Sequence, residues 1–281
     1  MNVQQRLLSS AVLTFAVWAL AACSFQNIRS AEDTPNLQTT LTIMAFNIRH
    51  GCGVENWGAA SSNFFKGCTK RLDRVVSAIR SADPDVVGLQ EVDSAHVAEL
   101  AAALDMNYAY SAHNPSGYGR WWGNAVLTKF EILDSKTTSV GGSGSINRSI
   151  VTAIALINDH RTALVSVHTD HRLNSDSSIR SILYHVESLA LPTILIGDFN
   201  MTPLDSRTSL ITERAGFIDT AAAVRTGRAM GTYGRTPSGG RRIDYVFVQS
   251  SFFEVLDAAM VSDEHYDASD HIAYHAKVKW K

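Results

Sequence analysis

Thr193-Ile-Leu-Ile-Gly-Asp-Phe-Asn200 is a short apolar run that stops on two polar side chains, Asp198 and Asn200. Strand side chains alternate, so this spacing predicts that Asp198 and Asn200 share a face while Phe199 turns into the core. The same residues also suit an ordinary turn after a strand. Repetition favours a site, because other apolar runs end on, or adjoin, residues of the same chemical type. Leu41–Phe46 delivers Asn47, Asp85–Leu89 delivers Gln90 and Glu91, and Ala163–Val167 delivers His168. Asp244 opens the run Asp244–Val248, and Asp270-His271 precedes Ile272–Trp280.

The wording of these segments resembles the endonuclease/exonuclease/phosphatase superfamily from about Leu41 to Trp280. Its most specific pieces are LQEV (Leu89–Val92), GDFN (Gly197–Asn200), RIDYV (Arg242–Val246) and SDH (Ser269–His271), in that order. Weaker echoes are GNAVLTK (Gly123–Lys129), Asn147-Arg148-Ser149 and VSVHTDH (Val165–His171). Family members more often read THL around the histidine, so Asp170 and His171 receive no role. The resemblance implies a four-layer α/β sandwich, two packed mixed β-sheets flanked by helices, with the polar strand ends meeting at one rim.

It also implies a phosphoesterase. A phosphodiester yields to water when its charge is neutralised and its leaving oxygen stabilised, tasks suited to oxygen-liganded Mg²⁺, with Mn²⁺ as an alternative. Glu91 is the first-choice metal ligand, with Asn47 beside it and Asp270 as a further one. By resemblance, Asp198 and Asn200 orient or activate the water, His168 and His271 bond the phosphoryl oxygens, and Asp244 fixes His271. Asn124 and Arg148 are candidates for phosphate or sugar contact, although Arg148 equally suits a structural ion pair. His50, His96, His160, His185, His265 and His275 are read as surface or satisfied core residues. The expected substrate is a phosphodiester in nuclease-like chemistry. Alternatives are a sphingomyelinase-like or other phospholipid phosphodiesterase, or a phosphomonoesterase; a non-catalytic binding module ranks last.

The N-terminus places Arg6 before the apolar stretch Leu7–Leu20, followed by Ala21-Ala22-Cys23. That pattern predicts a signal peptide over 1–22, too short for a membrane span. Small residues before Cys23 also resemble a bacterial lipobox, which implies a lipid on Cys23, a polar tether over 23–38 and the enzymatic domain over 39–281. The expected location is the bacterial cell envelope, and the expected state a monomer. The formal net charge is −2, and loss of residues 1–22 removes Arg6 alone, leaving −3. A global basic attraction to nucleic acid is therefore absent, while Arg225, Arg228, Arg235, Arg241 and Arg242 form a local basic stretch that serves either a solvated loop or a substrate. Cys52 and Cys68 flank a Gly/Ser/Asn-rich loop and, in an exported chain, are expected to form a disulfide.

Helical spacing predicts helices over Arg71–Ser81, Ser94–Leu104 with Ser94 as N-cap, the Ile179–Leu189 stripe, and Leu204–Ala215. Besides the runs above, Ala125–Thr128 and Val151–Ile157 read as strands, and Asn158–Arg161 as a hairpin join. Trp121-Trp122, beside Tyr118 and Arg120, suit base stacking, a lipid interface or a pocket cap; equally, one ring packs inward beneath the other.

Overall fold

The computed structural model describes residues 40–54, 68–113, 121–142, 147–171, 176–224, 231–234 and 240–281. The signal, tether and Cys23 lie outside them, as do Tyr118, Arg120, Arg225, Arg228 and Arg235. One compact unit runs from Gln38 to Lys281.

Two six-stranded mixed sheets form its centre. The first has the order β11 (Phe253–Met260), β12 (Tyr274–Trp280), β1 (Thr40–Asn47), β2 (Val86–Asp93), β4 (Trp122–Thr128), β3 (Asn107–Ala112). The second runs β5 (Ile132–Gly141), β6 (Arg148–Ile157), β7 (His160–His168), β8 (Thr193–Asp198), β10 (Asp244–Gln249), β9 (Phe217–Asp219). Each sheet has one parallel pair at its middle, β1 with β2 and β7 with β8, and antiparallel pairs elsewhere. The predicted hairpin joins β6 to β7 through Asn158 and Asp159, both at positive φ as a two-residue turn of this type requires.

The sheets face each other across a core that includes Leu41, Ile43, Ala45, Leu164, Ile194, Ile196, Val246 and Val248. A second core, under the helices Leu72–Ala82 and Val97–Leu104, contains Val75, Ile79, Val97 and Leu100 against Met44 and Leu89. A third sets Ile179, Ile182 and Val186 of the helix Ser177–Leu189 against Val165, Leu195 and Phe247. This is the predicted four-layer sandwich.

The differences are local. The helix assigned from Ser94 begins at Val97 after His96; the chain first makes a turn in which the His96 N–H donates to the Asp93 carbonyl, and the His96 carbonyl then accepts the helical N–H of Leu100. Leu204–Ala215 is not one helix but a turn, Ser206–Ser209, running into a π-helical turn, Leu210–Arg214. Four strands had no counterpart in the sequence reading: β3, β5, β9 and β11.

Candidate active site

Strand alternation carries the inter-sheet core stripe to the rim. Ile194 and Ile196 share parity with Asp198, Ile43 and Ala45 with Asn47, Leu164 with His168, and Val246 and Val248 with Asp244. The four strands β1, β7, β8 and β10 therefore present these polar groups where the apolar stripe ends. Parity fails for two residues. β8 stops at Asp198, and Asn200 reaches the site through a left-handed turn at φ 48°, its N–H donating to Asp198 Oδ1 at 2.9 Å. Glu91 is the extra residue where β2 shifts register against β4, at φ 52°. Arg49 and His50 also have positive φ, 46° and 57°. Such backbones cost about 1–3 kcal/mol each and gather at functional sites.

A cavity of about 250 Å³ is lined by Asn47, Glu91, Arg148, His168, Asp198, Asn200, Asp270 and His271, with Arg49, His171, Tyr233, Arg241 and Ile243. Other grooves are larger, but those between the Ser177–Leu189 helix and its neighbours contain none of these groups. At the cavity's centre, Asp198 Oδ2 accepts from Asn47 Nδ2 at 3.1 Å and lies 3.4 Å from His168 Nε2 and 3.8 Å from His271 Nε2. Asp244 sits behind His271, its Oδ2 2.8 Å from His271 Nδ1. Asn124 does not line the cavity; its amide donates to the Ser149 carbonyl at 2.7 Å, tying the two sheets together.

The two histidines are backed by opposite charges. Burial alone favours a neutral His271 ring, yet the carboxylates of Asp244, Asp198 and Asp270 outweigh it and raise its pKa to about 10. His168 instead receives a hydrogen bond on Nδ1 from Arg148 at 3.2 Å; burial and the Arg148 charge push its pKa well below the ordinary value. Its proton then sits on Nε2, the nitrogen that faces Asp198 Oδ2 at 3.4 Å, so that contact pairs a neutral ring with the carboxylate and is not an ion pair. Burial and the Asp244 charge raise Asp198, against the opposing His271 charge and the Asn200 and Asn47 hydrogen bonds. Asp270 is raised by burial and by Glu91, with His271 and Arg49 opposing.

Sequence reasoning missed several residues. Arg49 and Tyr233 line the cavity, together with Arg241 of the basic stretch named above; Arg49 Nε lies 3.4 Å from Asp270, and the Tyr233 ring centroid is 4.9 Å from that of His271. Thr232 organises this corner, accepting the N–H groups of Ile243 and Asp244 on its hydroxyl and that of Ile272 on its carbonyl. Arg242 departs from the basic stretch by turning to Asp219, with guanidinium bonds of 2.9 and 2.7 Å. Trp122 packs inward under Arg148, and Trp121 covers His50. His50 is a buried, satisfied residue, one of the two readings given above, and its ring lies between Asp93 and Glu91. For Arg49, its place two residues after the candidate ligand Asn47 was the available signal.

The described residues support a cation in two ways. Asp198, Asp244 and His271 bring ligand atoms within 4.8 Å of one another. However, His271 Nδ1 and Asp244 Oδ2 bond each other, whereas Glu91 and Asp270 line the same cavity with carboxylates and Asn47, whose Oδ1 already accepts the Arg49 N–H, adds an amide. An oxygen donor set of this kind fits a hard divalent ion.

A two-sheet sandwich whose rim gathers Asp, Asn, Glu and His around one cavity defines a hydrolase-type centre. The chain belongs to the Endonuclease/Exonuclease/phosphatase family, whose model matches residues 44–271; members of the superfamily are phosphoesterases. Its fold is similar to that of an endonuclease/exonuclease/phosphatase from Bacteroides vulgatus, at 20% identity and TM-score 0.70 over 87% of this chain and 100% of that one. A family protein from Beutenbergia cavernae DSM 12333 gives 23%, 0.66, 86% and 72%, respectively. The human Nocturnin catalytic domain with bound sulfate anion gives 15%, 0.65, 88% and 95%. No curated protein matches the sequence.

Proposed function

We propose that the protein hydrolyses phosphodiesters with a divalent cation, Mg²⁺ or Mn²⁺, in nuclease-like chemistry. The observation that carries this reading is Asp198, a buried carboxylate whose raised pKa suits it to take a proton, set between a neutral His168 and a charged His271. Glu91, Asp270 and Asn47 would hold the cation, which when bound neutralises phosphate charge and stabilises the leaving oxygen. Asp198 accepts a proton from the attacking water as its oxygen bonds phosphorus and the ester P–O bond breaks. His271, positively charged, and His168, through Nε2–H, donate to the phosphoryl oxygens, and Arg148 adds charge on the His168 side. Asn200 holds Asp198 in place through its backbone.

Export belongs to the same reading and is supported by the Cys52–Cys68 disulfide, a bond of oxidising compartments; a lipid on Cys23 is proposed with it from the small residues that precede Cys23. The purified chain is tested with Mg²⁺, with and without chelator, on plasmid DNA, sphingomyelin vesicles and a chromogenic phosphodiester. Chelator-sensitive cleavage of DNA and diester is expected. Vesicle-restricted turnover would reassign the substrate to phospholipid, and activity that survives chelation would overturn the metal role.

A further inference from the structure

Glu91 occupies a costly backbone position on a bulge, and something must hold its carboxylate toward the cavity. His50 faces it. The His50 Nε2 lies 3.7 Å from Glu91 Oε2, and Nδ1 lies 2.5 Å from Asp93 Oδ1 on the other side of the ring. The ring cannot swing freely, because it is buried and packed at centroid distances of 5.2 Å from Trp121 and 5.3 Å from Trp122. Asp93 is itself anchored: its other oxygen accepts from Lys70 at 3.2 Å, and Lys70 also donates to the His50 carbonyl at 2.9 Å. The chain therefore runs from Lys70 through Asp93 and His50 to Glu91, with two tryptophans as its walls.

We infer that His50 is a positioning residue for the metal ligand Glu91, with Asp93 and Lys70 fixing the imidazole from behind. This rests on the assignment of Glu91 as a cation ligand. Carboxylate–imidazole supports behind metal ligands set the ligand's orientation, and their removal typically weakens metal binding by about 10- to 100-fold. His50 needs the left-handed backbone at 50 and the Trp121-Trp122 pair to occupy this place. The first lies directly after β1, which carries Asn47, and the second at the start of β4, which pairs with the Glu91-bearing β2. The arrangement accounts for the conjunction of Asn-Ile-Arg-His after one strand and Trp-Trp at the start of another.

The test is Mn²⁺ binding to the full chain, read from the electron paramagnetic resonance signal of free Mn²⁺, with substrate absent. His50→Ala is expected to raise the Mn²⁺ dissociation constant by about 10-fold or more. In a Glu91→Gln background the same substitution should add less than about 2-fold, because the partner through which His50 acts is already gone. Far-UV circular dichroism and thermal melting check that the variants fold. Should His50→Ala not fold, His50→Gln and Asp93→Asn are carried through the same cycle and read by the same criterion. An unchanged dissociation constant, or an equal loss in both backgrounds, overturns the inference while leaving Glu91 a ligand. Unaltered Mn²⁺ binding by Glu91→Gln alone overturns the ligand assignment and the inference with it.

Discussion

Asp244 holds His271 through a 2.8 Å contact between Oδ2 and Nδ1, and the opposite ring nitrogen points at Asp198 3.8 Å away. The proton on Nδ1 belongs to a bond with a buried carboxylate, so the imidazole is fixed in orientation and kept charged. Asparagine at 244 keeps the shape and removes the charge. Asp244→Asn should lower turnover by about 10²- to 10⁴-fold. The alkaline limb of the rate profile should also shift to lower pH, as His271 loses the carboxylate that raises it. The check is kcat against pH on a chromogenic diester; an effect confined to KM would contradict the assignment.

Asp198 carries the opposite balance of stability and function. Its folded pKa lies above the unfolded value of 3.8, so the fold disfavours its ionised form at neutral pH. Asp198→Asn should therefore abolish turnover and yet stabilise the chelator-treated protein by about 1–3 kcal/mol. Urea unfolding and steady-state rates on the same preparation test both halves. A destabilised, inactive variant would mean that the carboxylate serves the fold.

What could be read from sequence follows from burial. The eight strands recognised as apolar runs, β1, β2, β4, β6, β7, β8, β10 and β12, are the inner strands of the two sheets. The four that were not, β3, β5, β9 and β11, are the four sheet edges. An edge strand such as β5, exposed along most of its length, needs no apolar run and offers none to read. The site divides in the same way. Asn47, His168, Asp198 and Asp244 continue an alternating stripe and were legible; Asn200 and Glu91 arrive by backbone turns that alternation cannot foresee, and motif wording supplied them. Tyr233, Arg49 and His50 come from loops whose contacts join residues far apart in the chain. Asn124 shows the reverse error, a motif residue whose polar group is used between the sheets.

The metal-free protein should be most stable near neutral pH, with different residues setting each flank. His113 and His168 have folded pKa values well below 6.5; for His113 burial leads, followed by the Arg148 and His50 charges. Below about pH 6.5 the unfolded chain binds protons that these folded histidines refuse, so stability falls with falling pH. His271, raised to about 10, contributes stability that is complete below 6.5 and lost as pH rises toward 10. Asp198 opposes the acid trend, so variants must be compared with the parent chain. His113→Asn should flatten the acid flank and His271→Asn the alkaline flank, each by at most about 1.4 kcal/mol per pH unit. Urea midpoints measured from pH 5 to 9.5 in chelator decide it, and parallel curves for all three proteins would refute the assignment.

The disulfide between Cys52 and Cys68 closes the loop that begins directly after the Arg49–Gly51 turn. On the chain-entropy model, a closed loop of this size stabilises by about 3 kcal/mol. Cys68→Ala together with Cys52→Ala should cost about that amount in urea unfolding. Because Lys70 lies between this bond and Asp93, the pair should also weaken Mn²⁺ binding. Full stability in the double variant would show that the unfolded chain gains little from the closure.

Gly197 precedes Asp198 at φ +146°, and a Cβ there would lie 2.0 Å from the Val167 carbonyl oxygen and 2.9 Å from Gln90 Nε2. The first collision is with backbone of the neighbouring parallel strand, in register Val167 to Gly197, and cannot be relieved by rotating a side chain. Gly197→Ala should cost about 2–4 kcal/mol and, by displacing Asp198, lower turnover at least about 10²-fold. Gly216, at φ +70°, is the comparison: its nearest neighbour, Ser250 Oγ, is 3.8 Å from the added carbon. Gly216→Ala should therefore cost only about 1 kcal/mol, from conformation alone, with normal turnover. Urea unfolding and kcat for the two variants separate collision from conformation, and equal effects at both positions would show that the close approach of β7 to β8 does not place the catalytic carboxylate.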